Sequence, residues 1–448
     1  MWRQRRLRYG TYYKQYLERY LRNWNKTEEQ LIFYSDRQLV KILSEAYYCT
    51  LFYRDRFQGI VSNERMASIK TNPASALSVL KKLPFCDKQS LMQSGESAHN
   101  NMRTTSHVNY TSGSSGTPTA IPYDDESFQI GFALWRRFHD TIGLPKKFRS
   151  VRLSGKLVVS PNTNNGPFWV YNAIDQQLFM STYHLTEKNL RSYVQKLNQF
   201  KPQFIDAYPS ALFIIAEFIL RNKLELLFQP LAIATTAETL FDSQRAAIEK
   251  AFGCKVFNQY SSSEGGPFIT ECPAGKLHLN TDSAIFEFLA DDSIQNSGSG
   301  MAELVVTSFR QWKSPLIRYR SGDFVRFDEN AFHYQACTCG CNMPYVLEIL
   351  GRQDDILFTK EKGWVGRLDT AYKALYGIKA SSIIQESIDS ILVLIVPDNS
   401  FNTKTQDELI TNLKDRLGKE IKYEVRLVDK IPQSANGKIK AVHRSFEI

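Results

Sequence analysis

The sequence predicts an α/β protein of more than one lobe, with a helical N-terminal part, sheets layered with helices after it, and a small α+β lobe at the C-terminus. Three observations carry this. Residues 11–105 hold apolar side chains at helical spacing, as in "TEEQLIFYSDRQLVKILSEAYY" and in "NPASALSVLKKLPF", which Asn72 can cap. From residue 148 short apolar runs alternate with helical stretches, the mark of layered sheet and helix. At 448 residues the chain is also longer than one hydrophobic core usually organises.

Taken in order, the first 26 residues carry eight Lys and Arg against Glu18 alone, most of the net charge of +10. The remainder is nearly balanced, which argues against a nucleic-acid partner. This basic, Tyr-rich segment is expected to be a helix packing its Tyr, Leu and Trp side on the body; contact with a membrane surface or an acidic partner is the alternative. It has no apolar core of a secretory signal, and no run approaches the ~20 apolar residues of a bilayer span, so a cytoplasmic location is expected. Hydrophobic content of 43% with 23% charged residues is ordinary for a globular chain.

The stretch "YTSGSSGTPT" (110–119) precedes "AIPYDDESFQIGFALWRRF", which reads as a strand end, a turn and an amphipathic helix. A Gly/Ser/Thr-dense loop is a linker, a structural turn or an anion cradle, and a strand–loop–helix setting suits the cradle. It is not the Walker pattern, since no Gly-Lys-Ser/Thr follows. Next, "SVRLSGKLVVS", "PQFIDAY", "LAIATTA" and "CKVFNQY" read as strands, and "EKNLRSYVQKLNQF", "SALFIIAEFILRN" and "SQRAAIEKAFG" as helices. "NSGSG" (296–300) is a turn, followed by "MAELVVTSF" and "PLIRYRSGDFVRF" as antiparallel or barrel-type strands, with Asp323 in a turn between strands. After 350, "SSIIQESIDSILVLIVP", "TQDELITNLKDRLG" and "YEVRLVDKI" are the βαβ-like makings of the small lobe.

Singly, the polar motifs have dull explanations. Together and in order, "YTSGSSGTPT", "YSSSE" (260–264), "YRSGD" (319–323), "GRQDD" (351–355) and "NGK" (436–438) resemble the adenylate-forming superfamily of acyl-CoA synthetases. "YRDRFQG", "LPFCDKQSL", "AYPSAL", "TTAET" and "CTCG" look most like its phenylacetate–CoA ligase family, which includes capsule-biosynthesis relatives. The resemblance covers nearly the whole chain. It implies an N-terminal ATP- and acyl-binding domain over 1–351, whose 1–105 part is helical, and a mobile lid over 352–448 with a hinge at 352–355.

The implied activity is an AMP-forming ligase that makes an acyl-adenylate from ATP and a small-molecule carboxylate. By this resemblance Thr111, Ser112, Gly113, Ser114, Ser115, Gly116 and Thr117 would hold the β- and γ-phosphates, and Glu264 would bind Mg²⁺. Ala237, Glu238, Tyr260 and Ser261 would line the nucleotide, and Asp323 would accept from the ribose hydroxyls. Arg352 would contact the nucleotide, Asp354 would be the hinge, and Lys438 would reach the carboxylate–α-phosphate junction. Trp135, Tyr171, Tyr208, Pro209 and Ser210 would border the acyl pocket. The segment after the hinge, "ILFTKEKGWVGRLDTAYKAL", departs from the family's glycine-rich pattern. The acceptor therefore stays open between CoA, an amine on a sugar acid or amino acid, and a hydroxyl; a non-catalytic nucleotide binder is the rival class.

Four of seven cysteines fall late, too uneven for a disulfide framework and suggestive of metal. Cys272 and His278 in "ECPAGKLH", with Cys337 and Cys339 in "CTCG", would make a closed structural zinc set, with Cys341 and His333 as substitutes. Buried, unliganded thiols are the alternative.

Overall fold

The computed structural model describes residues 5, 7–110, 120–160, 163–289, 300–352, 357–361, 363–365, 368–372, 375, 377–432 and 440–446. Contacts divide the chain into two compact units, residues 1–147 with 257–349 and residues 148–256 with 350–448.

The first unit opens with α1 (Thr11–Asn23) and α2 (Glu28–Cys49), followed by the short helices α3 (Leu51–Phe57), α4 (Asn63–Thr71), α5 (Ala76–Leu80) and α6 (Lys88–Ser94). Thr27 starts α2 with a reciprocal capping box: its hydroxyl accepts from the Gln30 N–H, and Gln30 returns a bond to the Thr27 N–H. The basic N-terminal segment does pack its aromatic side inward. Tyr16 and Tyr20 are buried, and the Tyr16 hydroxyl donates to Glu126 at 2.6 Å.

Strands β1 (His107–Tyr110) and β2 (Ala120–Tyr123) pair antiparallel, and α7 (Asp125–Thr141) starts from an Asp124 cap. The loop at 111–119, outside the described residues, therefore joins strand to strand. The expected strand–loop–helix setting is corrected: "AIPY" completes a ladder before the Asp124 cap starts the helix.

The second unit begins with β3 (Ser150–Ser154), β4 (Trp169–Asn172), β5 (Gln177–Ser181), α8 (Glu187–Phe200), β6 (Phe204–Ala207), α9 (Pro209–Arg221), β7 (Ala232–Thr235) and α10 (Asp242–Phe252). The strands run in the order β7-β6-β3-β5-β4, all parallel except edge strand β4. Strands β6 and β7 are buried at every position, as parallel strands covered on both faces must be. Only the first half of "SVRLSGKLVVS" is strand.

Returning to the first unit, β8 (Val256–Ser261), β9 (Phe268–Glu271) and β10 (Leu277–Leu279) form an antiparallel set. Then β11 (Ala284–Leu289), β12 (Gly300–Ser308) and β13 (Tyr319–Phe327) pair antiparallel, and β14 (Tyr345–Val346) adds to β10. Residues 296–299 of the expected turn "NSGSG" (296–300) lie outside the described residues, and Gly300 opens β12. β15 (Glu348–Arg352) leads into the second unit's C-terminal part, with the hairpin β16 (Leu357–Thr359)–β17 (Gly363–Val365).

There β18 (Ile378–Ser387), β19 (Ser390–Pro397), α11 (Thr403–Leu417), β20 (Lys422–Leu427) and β21 (Val442–Arg444) build a sheet of order β20-β19-β18-β21. β19 and β20 are parallel, so β19–α11–β20 is the βαβ unit read from the sequence. Its core gathers Leu357, Ile383, Val393, Ile395, Leu409 and Leu413. Buried Gln385 ties β16 to β18, accepting from the Phe358 N–H at 3.1 Å and donating to its carbonyl at 2.6 Å.

Candidate functional site

In the first unit, "YSSSE" and "YRSGD" meet. The Tyr260 hydroxyl at the end of β8 donates to Asp323 Oδ2 on β13 at 2.5 Å. Burial first, then the Asp323 carboxylate, holds the Tyr260 phenol well above its ordinary pKa, so it stays a donor. Asp323 does not lie in a turn between strands, as the sequence suggested. It sits within β13, where the ladder register shifts between Glu303 and Val305.

The irregularity has a visible cause. Gly322 takes φ +71°, Ser321 Oγ donates to the Leu304 carbonyl at 2.8 Å, and the Asp323 N–H donates to Ser321 Oγ at 3.1 Å. Glu303 accepts from the Gly322 N–H at 3.2 Å and from Arg320 Nε at 2.8 Å. A bulge re-aims a side chain out of strict strand alternation, here that of Asp323.

The turn carrying Glu264 is held carbonyl by carbonyl. Tyr123 donates to the Ser263 carbonyl at 2.8 Å, Gln311 to that of Glu264 at 3.5 Å, and Ser308 to that of Gly265 at 2.5 Å. Arg310 donates to the carbonyls of Gly266 and Pro267 at 3.3 and 3.0 Å. Gly265 is required there: its φ is +83°, and a Cβ would meet the Tyr123 hydroxyl at 3.0 Å. The Glu264 residue is buried and its backbone fixed, with Ser261 half-buried at the strand end. Sequence reading missed all four clamping residues. Three of them, Ser308, Arg310 and Gln311, fall in the segment 308–313 that the fold buries throughout, while Tyr123 stands apart on β2.

In the second unit the carboxyl ends of β6 and β7 bring together Tyr208, Ser210 and Glu238. Tyr208 precedes α9, Pro209 is its first residue, and Glu238 Oε2 accepts from the Ser210 N–H at 3.0 Å. A carboxylate at a helix start complements the exposed N–H groups there. Ala237 beside it takes φ +69°, a left-handed backbone that costs a non-glycine residue about 1 kcal/mol. Open α/β sheets bind ligands at this carboxyl edge.

Tyr171 does not join this group. It lies on edge strand β4, three strands from β6, or ~14 Å at ordinary strand spacing, and packs edge-on against Phe200. Trp135, in the first unit, packs against Phe138, His139 and Phe268 at the helical core. Arg352 ends β15 and is described by its backbone alone. Thr111–Thr117, Asp354 and Lys438 lie outside the described residues.

The sulfur and nitrogen ligands do converge. One donor atom each from Cys272, His278, Cys337 and Cys339 lies within 4.8 Å of the others. A tetrahedral zinc with ordinary bond lengths sets sulfurs ~3.8 Å apart and sulfur ~3.5 Å from nitrogen. Cys272 and Cys337 sulfurs are 3.9 Å apart, and Cys339 Sγ lies 3.5 Å from His278 Nε2. His278 Nδ1 lies 2.8 Å from the Met343 carbonyl; donation there leaves Nε2 as the ligand nitrogen. His333 is exposed and Cys341 is buried outside the set, its N–H on Cys339 Sγ at 3.4 Å. The donor set and spacing fit a structural zinc.

The fold is that of adenylate-forming ligases. A 2-hydroxyisobutyryl-CoA ligase solved in its postadenylation state with R3-HIB-AMP matches at TM-score 0.68 and 16% identity, over 95% of this chain and 91% of that one. Residues 357–445 match the CapK C-terminal domain. Protein CapK of Staphylococcus aureus is 35% identical over 333 residues, 73% of this chain and 72% of that protein. A phenylacetate-coenzyme A ligase of Thermus thermophilus is 29% identical over 173 residues, 37% of this chain and 38% of that one. The chain belongs to the CapK family, within the adenylate-forming superfamily.

Proposed function

We propose that the protein is an ATP-dependent, AMP-forming ligase that activates a small-molecule carboxylate as its acyl-adenylate, releases pyrophosphate, and passes the acyl group to a thiol, CoA first. The carrying observation is the Tyr260–Asp323 bond, which joins two motifs 63 residues apart into one aromatic-and-carboxylate surface suited to a nucleoside. Asp323 would accept from the ribose and Tyr260 would face adenine, with Ser261 beside them; Ala237 and Glu238, in the second unit, are carried as nucleotide-binding candidates by the family resemblance alone.

Activating a carboxylate on a triphosphate brings anions together, so the protein's task is charge placement. Thr111–Thr117 would hold the phosphates. A buried glutamate on a clamped turn is the hard oxygen donor Mg²⁺ takes, so Glu264 would hold that ion, which supplies charge neutralisation between phosphates. Arg352 would contact the nucleotide, and residues 352–448 would be the lid, turning at Asp354. Tyr208 and Ser210 would border the acyl site, and the reaction would be cytoplasmic.

A second reading, amide formation on a sugar acid or amino acid for surface polysaccharide, is favoured by the departure of the segment after the hinge and by the likeness to CapK.

Pyrophosphate release over a panel of carboxylic acids tests the first step, and Glu264→Gln is expected to slow it about a hundredfold. Nucleotide binding without turnover on any acid favours a non-catalytic role. Mass spectrometry with CoA, amines and an acyl-carrier protein offered separately identifies the acceptor.

The Cys₃His set would carry one structural zinc tying "ECPAGKLH" to the "CTCG" loop. Four protein ligands leave no open position, so the metal stabilises and does not react. Elemental analysis is expected to find about one zinc per chain. Cys337→Ser should lose it and melt earlier, with adenylation retained in the folded fraction. A metal-free protein of unchanged melting temperature would leave ordinary thiols.

A further inference from the structure

We infer that the outer face of α1 and α2 is a docking surface for anionic lipid headgroups. The two helices border two adjoining hollows of about 290 and 310 Å³ that share Arg19 and Lys26. Arg22 lines one and Arg37 the other. Among the lining residues the sole carboxylate is Glu18, which pairs with Arg22. Four cations against one carboxylate leave the lining of the hollows positive, with exposed Glu29 on the α2 stripe of Phe33 and Arg37 as a further acid nearby.

This face is fixed outward. On the other side of α1, Tyr16 and Tyr20 are buried, and the Tyr13 N–H donates to Gln129 of α7 at 3.0 Å. Arg19 and Arg22 stand three apart on α1 and share one stripe, and Lys26 follows in the connection to α2. The Arg19 guanidinium lies over the Tyr16 ring at 4.7 Å, and that of Arg37 over Phe33 at 5.7 Å.

Aromatics border the same face. Phe33 of α2 lines the second hollow and is 61% exposed; Tyr12, about two helical turns before Arg19 on α1, is 40% exposed. An acidic peptide would satisfy the cations and leave these rings in water. A bilayer interface takes both, with phosphates in the hollows and the rings at headgroup level. Among the described residues no helix is long and apolar enough to cross a membrane, so such contact is peripheral. The inference does not depend on the ligase reading.

The test is co-sedimentation of the full chain with phosphatidylcholine vesicles, with and without phosphatidylglycerol, at low and high salt. Binding is expected on the anionic vesicles alone and should weaken with salt. Each cation near an anionic surface contributes about fivefold in affinity, so the triple variant Arg22→Ala, Lys26→Ala, Arg37→Ala should lose about a hundredfold. The exposed single change Arg22→Glu should also weaken binding, with an unchanged circular-dichroism melt. No binding to anionic vesicles, or binding by the Arg22→Glu and triple variants equal to that of the unaltered protein, overturns the inference. So does capture of soluble polyglutamate by a protein that ignores vesicles, which would make the face a protein-docking groove.

Discussion

Arg137→Ala is expected to destabilise the first unit by about 3–5 kcal/mol, because it strands a buried carboxylate. Arg137 on α7 and Asp282 after β10 are both fully buried, and two parallel bonds of 2.6 and 3.0 Å join them. The same guanidinium donates to the Tyr20 carbonyl at 3.1 Å and to Asn280 Oδ1 at 2.5 Å, while Asn23 donates to Asp282 at 3.2 Å. One ion pair thus fastens α1, α7 and the segment after β10. Burial works against the arginine's charge, but the Asp282 carboxylate, by charge and hydrogen bond together with smaller contributions from its neighbours, raises the pKa, so the guanidinium stays charged. Urea titration of Arg137→Ala, Asp282→Ala and the double variant measures the coupling. The double should cost much less than the sum of the singles; a strictly additive double would mean that the pair contributes nothing beyond packing.

Lys438→Ala is expected to slow acyl-adenylate formation by about 10²–10³-fold while sparing transfer from preformed acyl-adenylate. In the proposed reaction the lysine's charge matters where the carboxylate meets the α-phosphate, and that negative charge has already been resolved once the adenylate exists. Single-turnover assays started from ATP plus acid and from synthetic acyl-adenylate separate the two steps. Normal adenylation by the variant would move the role to Lys440 or another cation. Equal loss in both assays would mean that the residue acts on lid structure and not on charge.

Short-range patterns were legible in the sequence because they are local. The alternation of strands and helices from β3 to β8 and the βαβ of the C-terminal lobe follow from periodicity within a few positions. The expected Asn72 cap does not form: Asn72 makes no side-chain cap bond, and α5 starts only at Ala76. The order of the five motifs pointed to the superfamily, since polar turns in that succession are specific even where each alone is not. Cys272, His278, Cys337 and Cys339 could be grouped by residue type, because thiolate and imidazole have few other reasons to gather.

What the sequence could not determine depends on contacts between distant residues. Nothing local marks Ser321–Asp323 as a bulge inside β13; the extra residues show only when the strand is laid against β12. Gln311 and Arg310 read as surface polar residues until the fold buries them on carbonyls some 45 positions away. Tyr171 and Tyr208 look equivalent along the chain, yet the strand order sets them three strands apart. Arg137 and Asp282 stand 145 residues apart, and only burial on both sides makes their pairing strong and their separation costly. The sequence therefore carried the local elements and, through the resemblance of its ordered motifs, the superfamily. Tertiary structure decided which of those groups face one another, because hydrogen-bond geometry and burial are properties of neighbours in space.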